Sequence, residues 1–265
     1  ITTFTIHMIN KVQFSFSTVK NILSCPNNKY YEWRFGKIRY IKKGSGSPVL
    51  LLHDLTPGSS SYEFSAIIDE LAEKHEVYAI DFLGYGLSDK PNITYTNYLY
   101  VQSVIDFIKV IIGRKTSIIA TGDAAPIGIM ACHNDGEVID KILLLNPQSI
   151  NKLNQIPNKQ TRLLKFLIDT PILGTLLYNI QTTKESFKKV FLEESVNVKE
   201  EMLMSYVEAS HLPDFNAKFS FASFTGRYMN ANIIHALKEI DHSIYILYGK
   251  SKKDIETVVD NYIYF

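Results

Sequence analysis

The sequence predicts an α/β fold: a mostly parallel sheet with helices on both faces and a helical cap inserted late in the chain. Three observations predict it. Val49-Leu50-Leu51-Leu52 and Ile142-Leu143-Leu144-Leu145 are continuous apolar runs, the pattern of strands buried on both faces. Between these runs strands alternate with amphipathic helical stretches, which wraps a parallel sheet on both sides. From about Asn146 to His242 the strand pattern vanishes, and it returns at Ile244-Tyr245-Ile246-Leu247-Tyr248.

Residues 1–30 read as an N-terminal extension. Their first part mixes Phe, Ile and Thr with Lys11 and Lys20 and lacks the uninterrupted apolar block of a signal peptide. A packed or lid-associated helix is expected there rather than a membrane-surface one. The chain begins at Ile1 rather than Met, which reads as a processed or truncated product.

The first core segment is 31–146. Tyr31 to Lys42 alternates apolar and polar residues, as two short antiparallel strands do, and Gly44-Ser45-Gly46-Ser47-Pro48 is a turn before the first buried strand. The loop His53 to Gly58 leads into a helix with Ser60 and Glu63 at capping-box spacing and Phe64, Ile67, Ile68 and Leu71 on one face. Val77 to Ile80 is the next strand. Thr96 caps a helix whose face is Val101, Val104, Ile105 and Ile108.

Thr116 to Ala120 is a strand, and a helix starts near Ile127 after the turn Thr121-Gly122-Asp123-Ala124-Ala125-Pro126. Residues 147–242 form the cap, with helices over Arg162–Ile180, Lys184–Glu194, Lys199–His211 and Asn230–Ile240 and breaks near Pro171, Gly174 and Pro213. Residues 243–265 return to the core.

Composition bounds the function. The chain has 265 residues, 46% hydrophobic and 12% aromatic, ample for one large core. Lys+Arg 28 against Asp+Glu 27 leaves a net charge of +1, which argues against an electrostatically driven nucleic-acid binder. No apolar run approaches the length of a membrane span. Cys25 and Cys132 have neither metal-ligand nor redox spacing and point to a reducing, cytoplasmic compartment. No metal or cofactor is implied. The sequon Asn92-Ile93-Thr94 reads as a chance match.

Three segments carry a resemblance. LLLHDLTPGSSSYEF (50–64) is similar to an H-G-x-x-P-G-S-S loop, DFLGYGLSDKP (81–91) to a D-x-x-G-x-G-x-S-D-x-P turn, and 121–126 sits where a sharp strand-turn-helix elbow is expected. In this order they resemble the cap-bearing branch of the α/β-hydrolase superfamily, over roughly residues 32–260. The resemblance implies a nucleophile at the elbow, an acid after a late strand and a histidine after the last strand.

Each implied position departs from the pattern. Ala124 stands at the nucleophile position and has no attacking group. The acid position falls on Lys252; Asp254 lies two residues further on, where its spacing from Ser251 favours a helix start over a catalytic acid. The histidine is expected after one more strand, and the chain stops at Phe265 before it, so the last strand reads as missing.

The resemblance further implies an oxyanion hole from the backbone N–H groups of Leu55 and Ala125, with His53 and Asp54 beside it. Asp54 replaces the usual glycine, and its carboxylate would repel a developing anion. His75 and His133 end helices, His211 and His235 lie in the cap, His242 precedes the late strand, His7 lies in the extension, and Cys132 reads as core. Cap aromatics Phe187, Phe191, Tyr206, Phe215, Phe219, Phe221, Phe224 and Tyr228 suit either an apolar pocket or packing onto the sheet.

The expectation is therefore a hydrolase-like protein, inactive as an enzyme, that binds a small apolar or carbonyl-bearing ligand. Two alternatives stand beside it. One is an active serine hydrolase whose displayed chain is truncated or substituted; the other is a haloalkane dehalogenase or epoxide hydrolase with Asp123 as nucleophile.

Overall fold

The computed structural model describes Thr5, Ile22, Leu23 and residues 28–194, 199–212, 216–250 and 254–265. Most of the N-terminal extension, Cys25, Phe215, Ser251 and Lys252 thus lie outside the described residues.

Seven strands form one sheet in the order β1-β2-β4-β3-β5-β6-β7: β1 (Asn28–Trp33), β2 (Gly36–Lys43), β3 (Ser47–Leu52), β4 (His75–Ile80), β5 (Thr116–Thr121), β6 (Ile139–Leu145) and β7 (Ile244–Leu247). β1 and β2 run antiparallel to their neighbours, and β3 to β7 are parallel. The expected α/β architecture is thus the observed one. The antiparallel pair starts at Asn28, three residues before the alternating pattern suggested.

Alternate side chains leave the sheet on opposite sides, so a strand covered on both faces must be apolar throughout. Leu50, Leu52, Tyr78, Ile80, Ile118, Ala120, Ile142 and Leu144 join the larger core with α2 (Asn97–Phe107) and α3 (Ala125–Asn134). Val49, Leu51, Val77, Ala79 and Ile119 face the other way, onto Phe64 and α1 (Ile68–Ala72). Thr96 caps α2 as expected, its hydroxyl accepting from Leu99 N at 3.2 Å.

Seven helices lie between β6 and β7 among the described residues: α4 (Ile150–Leu153), α5 (Lys159–Asp169), α6 (Leu173–Gln181), α7 (Lys184–Glu194), α8 (Glu200–His211), α9 (Ala217–Thr225) and α10 (Ile234–Glu239). The helical stretch expected over Arg162–Ile180 with a break near Pro171 is two helices, α5 and α6, bent by 101° across Thr170-Pro171, because proline cannot continue a helix. α9 was missed, since AKFSFASFT carries no clear apolar stripe. α11 (Ile255–Tyr264) follows β7. Among the described residues no single helix is long and apolar enough to cross a membrane.

The turn at 81–91 explains its own sequence. Asp81 is buried and accepts backbone N–H groups from Ser61 and Leu87, each at 2.8 Å, while Arg39 lies 3.4 Å away. Gly86 has φ +48, and a Cβ there would collide with the Asp81 carboxylate. This motif is structural: it clamps the end of β4 to the loop after β3.

Candidate active site

A cavity of about 620 Å³ opens at the carboxyl ends of β5, β6 and β7. Open α/β sheets bind ligands at that edge. Its floor is Asp54, Glu63, Thr121, Gly122 and Asp123, with Asn146, Gln148 and Lys152 at the side. Phe187, Phe191, Met202, Tyr206 and Phe221, from α7, α8 and α9, cover it.

The elbow has a different register from the one expected. β5 ends at Thr121, Gly122 takes φ +51, residues 122–124 make one 3-10 turn, and α3 starts at Ala125 with Pro126 in its first turn. The left-handed residue between strand and helix is therefore Gly122. Ala124 has φ −82 and ψ −12, is fully buried and does not line the cavity. A reversal this sharp needs a positive φ, which glycine adopts without a Cβ penalty. The small-x-apex-x-small pattern then falls on Ala120-Thr121-Gly122-Asp123-Ala124, with the apex lacking any side chain.

Two backbone N–H groups converge beside that apex. Leu55 N and Asp123 N both donate to Asp54 Oδ1, at 2.8 and 2.7 Å. Ala125, expected to supply the second donor, does not: its N–H is spent on Gly122 O within the 3-10 turn. The Leu55 N–H, expected as the other donor, is bonded to Asp54. A Cβ built on Gly122 would lie 2.5 Å from Asp54 Oδ1 and 2.6 Å from its Cγ. The Asp54 carboxyl thus fills both the paired N–H groups and the space a nucleophile's side chain would need.

Burial pushes the Asp54 carboxyl up to about 8, and the neighbouring charges of Asp123 and Glu63 add to the rise. The N–H bonds from Asp123 and Leu55 act in the opposite direction and do not offset it. At neutral pH the group is mostly protonated.

Glu63 is a site residue that sequence reasoning missed. Its spacing from Ser60 predicted a capping box. In the structure Ser60 caps alone, through Tyr62 N, while Glu63 turns to the cavity floor. There Oε2 accepts from Asp54 N at 3.0 Å and from Thr121 Oγ1 at 3.1 Å, and Oε1 accepts from Tyr206 at 2.9 Å. One carboxylate thereby ties the loop after β3, the end of β5 and α8 together. Asp123 is buried at the floor, with Lys152 Nζ 3.4 Å and Gln148 Nε2 3.5 Å from its Oδ2.

The remaining candidates separate from the cavity. His53 does not face it: the ring is fully buried, Nε2 accepts from Phe82 N at 2.9 Å and Nδ1 contacts Asp54 O at 2.5 Å. Both ring nitrogens are spent on holding the loop. Asp254 is exposed, has φ 58 and makes no side-chain cap at the start of α11, so it is neither an acid of this site nor the expected cap.

His211 is buried against Tyr178 with Nδ1 2.8 Å from Val207 O, His75 pairs with Ser47, and His242 contacts Gly136 O. Cys132 is a buried free thiol in α3. Of the cap aromatics, Phe187, Phe191, Tyr206 and Phe221 line the cavity, while Phe219 and Phe224 pack into the larger core.

The sequence model of the Alpha/beta hydrolase family matches residues 49–262. The chain belongs to that family. A 2-hydroxy-6-oxo-6-(2'-aminophenyl)hexa-2,4-dienoic acid hydrolase of Metapseudomonas resinovorans is 33% identical over 111 residues, 40% of this chain and 38% of that protein. A haloalkane dehalogenase of Agrobacterium fabrum is 27% identical over 131 residues, 48% of this chain and 41% of that protein. The matched segments thus span well under half the length of these curated relatives. A putative alpha/beta hydrolase structure from Nostoc sp PCC 7120 superposes with a TM-score of 0.70 at 17% identity, covering 89% of this chain and 86% of that one. At that identity the likeness shows the fold.

Proposed function

We propose that this α/β-hydrolase-family protein binds a small ligand beneath its helical cap and does not run serine hydrolysis. The observation that carries this reading is the reciprocal pair Asp54 and Gly122. Acyl transfer needs a nucleophile at the elbow and unoccupied N–H donors for the developing oxyanion. Here the apex has no side chain, and an acid oxygen sits on the donors. The reading does not depend on where the chain ends.

The same geometry narrows the ligand. A carbonyl oxygen would have to displace Asp54 from the N–H pair, so the carbonyl half of the sequence expectation gives way. Glu63 and Asp123 form an acidic floor beside the protonated Asp54, countered by Lys152, under a roof containing Phe187, Phe191, Tyr206 and Phe221. That combination suits an apolar ligand with a protonated amine at one end, through charge and cation–π attraction. The cytoplasmic setting remains part of this proposal, and the free Cys132 thiol is compatible with it.

The test compares phenethylamine, benzoate and 4-phenyl-2-butanone by calorimetry, with p-nitrophenyl acetate as the turnover probe. The proposal expects binding of the amine, weakened at least tenfold by Asp123→Asn, and no ester turnover. Ester turnover that Asp123→Asn abolishes would overturn it. A second reading keeps Asp123 as nucleophile, because it is buried at the cavity floor and a dehalogenase is among the relatives. It requires a mass increase of one alkyl group on Asp123 after incubation with 1-bromobutane.

A further inference from the structure

Away from the cavity, three side chains converge at the far end of the elbow helix. His133 lies in the last turn of α3, and His235 and Glu239 share one face of α10 at i,i+4 spacing. His133 Nε2 is 2.9 Å from Glu239 Oε2, and His235 Nε2 is 3.3 Å from the same oxygen. All three donor atoms lie within 4.8 Å of one another.

We propose that His133, His235 and Glu239 form a binding site for a late first-row divalent cation such as Zn²⁺. Zinc holds imidazole nitrogen and carboxylate oxygen at about 2.0–2.2 Å, so two of its tetrahedral ligands sit roughly 3.3 Å apart. The His235–Glu239 separation of 3.3 Å matches that edge, and the His133–Glu239 separation of 2.9 Å is shorter than it. Imidazole ligands select zinc, nickel, copper or cobalt over magnesium and calcium, which take oxygen.

A second feature points the same way. Asn134 Oδ1 lies 3.3 Å from His133 Nδ1. The orienting contact on the other ring nitrogen is what metal-bound histidines have.

The site lies apart from the cavity. It sits eight residues along α3 from the elbow end, about 12 Å at the helical rise, and supplies three protein ligands with the fourth position open to solvent. A bound ion would clamp α10, which leads into β7, onto α3.

The experiment titrates the metal-free chain with Zn²⁺ by calorimetry and with Co²⁺ by visible absorption. The expected result is one ion per chain, a Co²⁺ spectrum of tetrahedral intensity, and a melting temperature that rises with Zn²⁺ concentration. His235→Ala and Glu239→Gln change exposed side chains and preserve the fold; each weakens Zn²⁺ at least tenfold, and His75→Ala leaves the affinity unchanged. No binding, or binding that persists undiminished in both His235→Ala and Glu239→Gln, would overturn the proposal and leave an ion-pair cluster only.

Discussion

Two carboxyls at the carboxyl edge of this sheet, the buried Asp81 and the half-buried Asp54, show how neighbours decide what an acid does. Each accepts two backbone N–H groups at 2.7–2.8 Å. Burial pushes both up. Around Asp81 the charge of Arg39 and the two N–H bonds more than offset it, so its carboxyl lies below the usual range. Around Asp54 the neighbours are Asp123 and Glu63, and the group rises to about 8. Equal hydrogen bonding with opposite neighbouring charge gives opposite shifts.

The two therefore act oppositely on stability. Asp81 stabilises the fold above its unfolded pKa, and that contribution is lost as pH falls. Asp54 keeps its proton when folded but loses it near pH 4 when unfolded, so it costs stability as pH rises from about 4 towards 8. One acid is a fastener and the other a plug. The fastener sits in the turn at 81–91, and the plug sits where the loop after β3 meets the elbow.

The largest expected effect lies at the fastener. Arg39→Met leaves Asp81 buried without its cation, and should cost about 3–5 kcal/mol in urea unfolding at pH 7. A loss under 1 kcal/mol would show that the N–H bonds alone hold Asp81, and the contrast would collapse.

The plug should respond less strongly. Gly122→Ser places a Cβ against the Asp54 carboxyl at positive φ and should cost about 1–3 kcal/mol. Adding Asp54→Gly removes the overlap, so the double variant should be less destabilised than the sum, with a coupling of about 1–2 kcal/mol. Additive losses would mean that the carboxyl does not occupy the apex.

Most of the fold was legible because sheet strands covered on both faces must be continuously apolar, and the runs at 49–52 and 142–145 have no other economical reading. The turn at 81–91 was legible for a related reason: Asp81, Gly86 and Ser88 serve one another within one short stretch, to which Arg39 and Ser61 are added from outside it. Ser88 donates to Asp81 O within that turn and accepts from Arg39 N of β2.

The site was only half legible. Asp54 announced itself as a carboxylate where a glycine was expected. That it would reach across to Asp123 N was not, because no local spacing encodes a contact between positions 69 residues apart. The elbow register was misjudged because Gly122, Ala124 and Ala125 are all small, and only the backbone angle separates apex from flank. Glu63 was missed because a good local explanation, the capping box, concealed its use across the sheet edge.

The most direct test of the plug is the titration of Asp54 itself, read by carboxyl ¹³C NMR with Asp54→Asn to assign the resonance. The account predicts a midpoint near 8 in the ligand-free protein. A midpoint at or below about 4, the range of an ordinary aspartate, would contradict it and show that the carboxyl does not sit enclosed on the N–H pair.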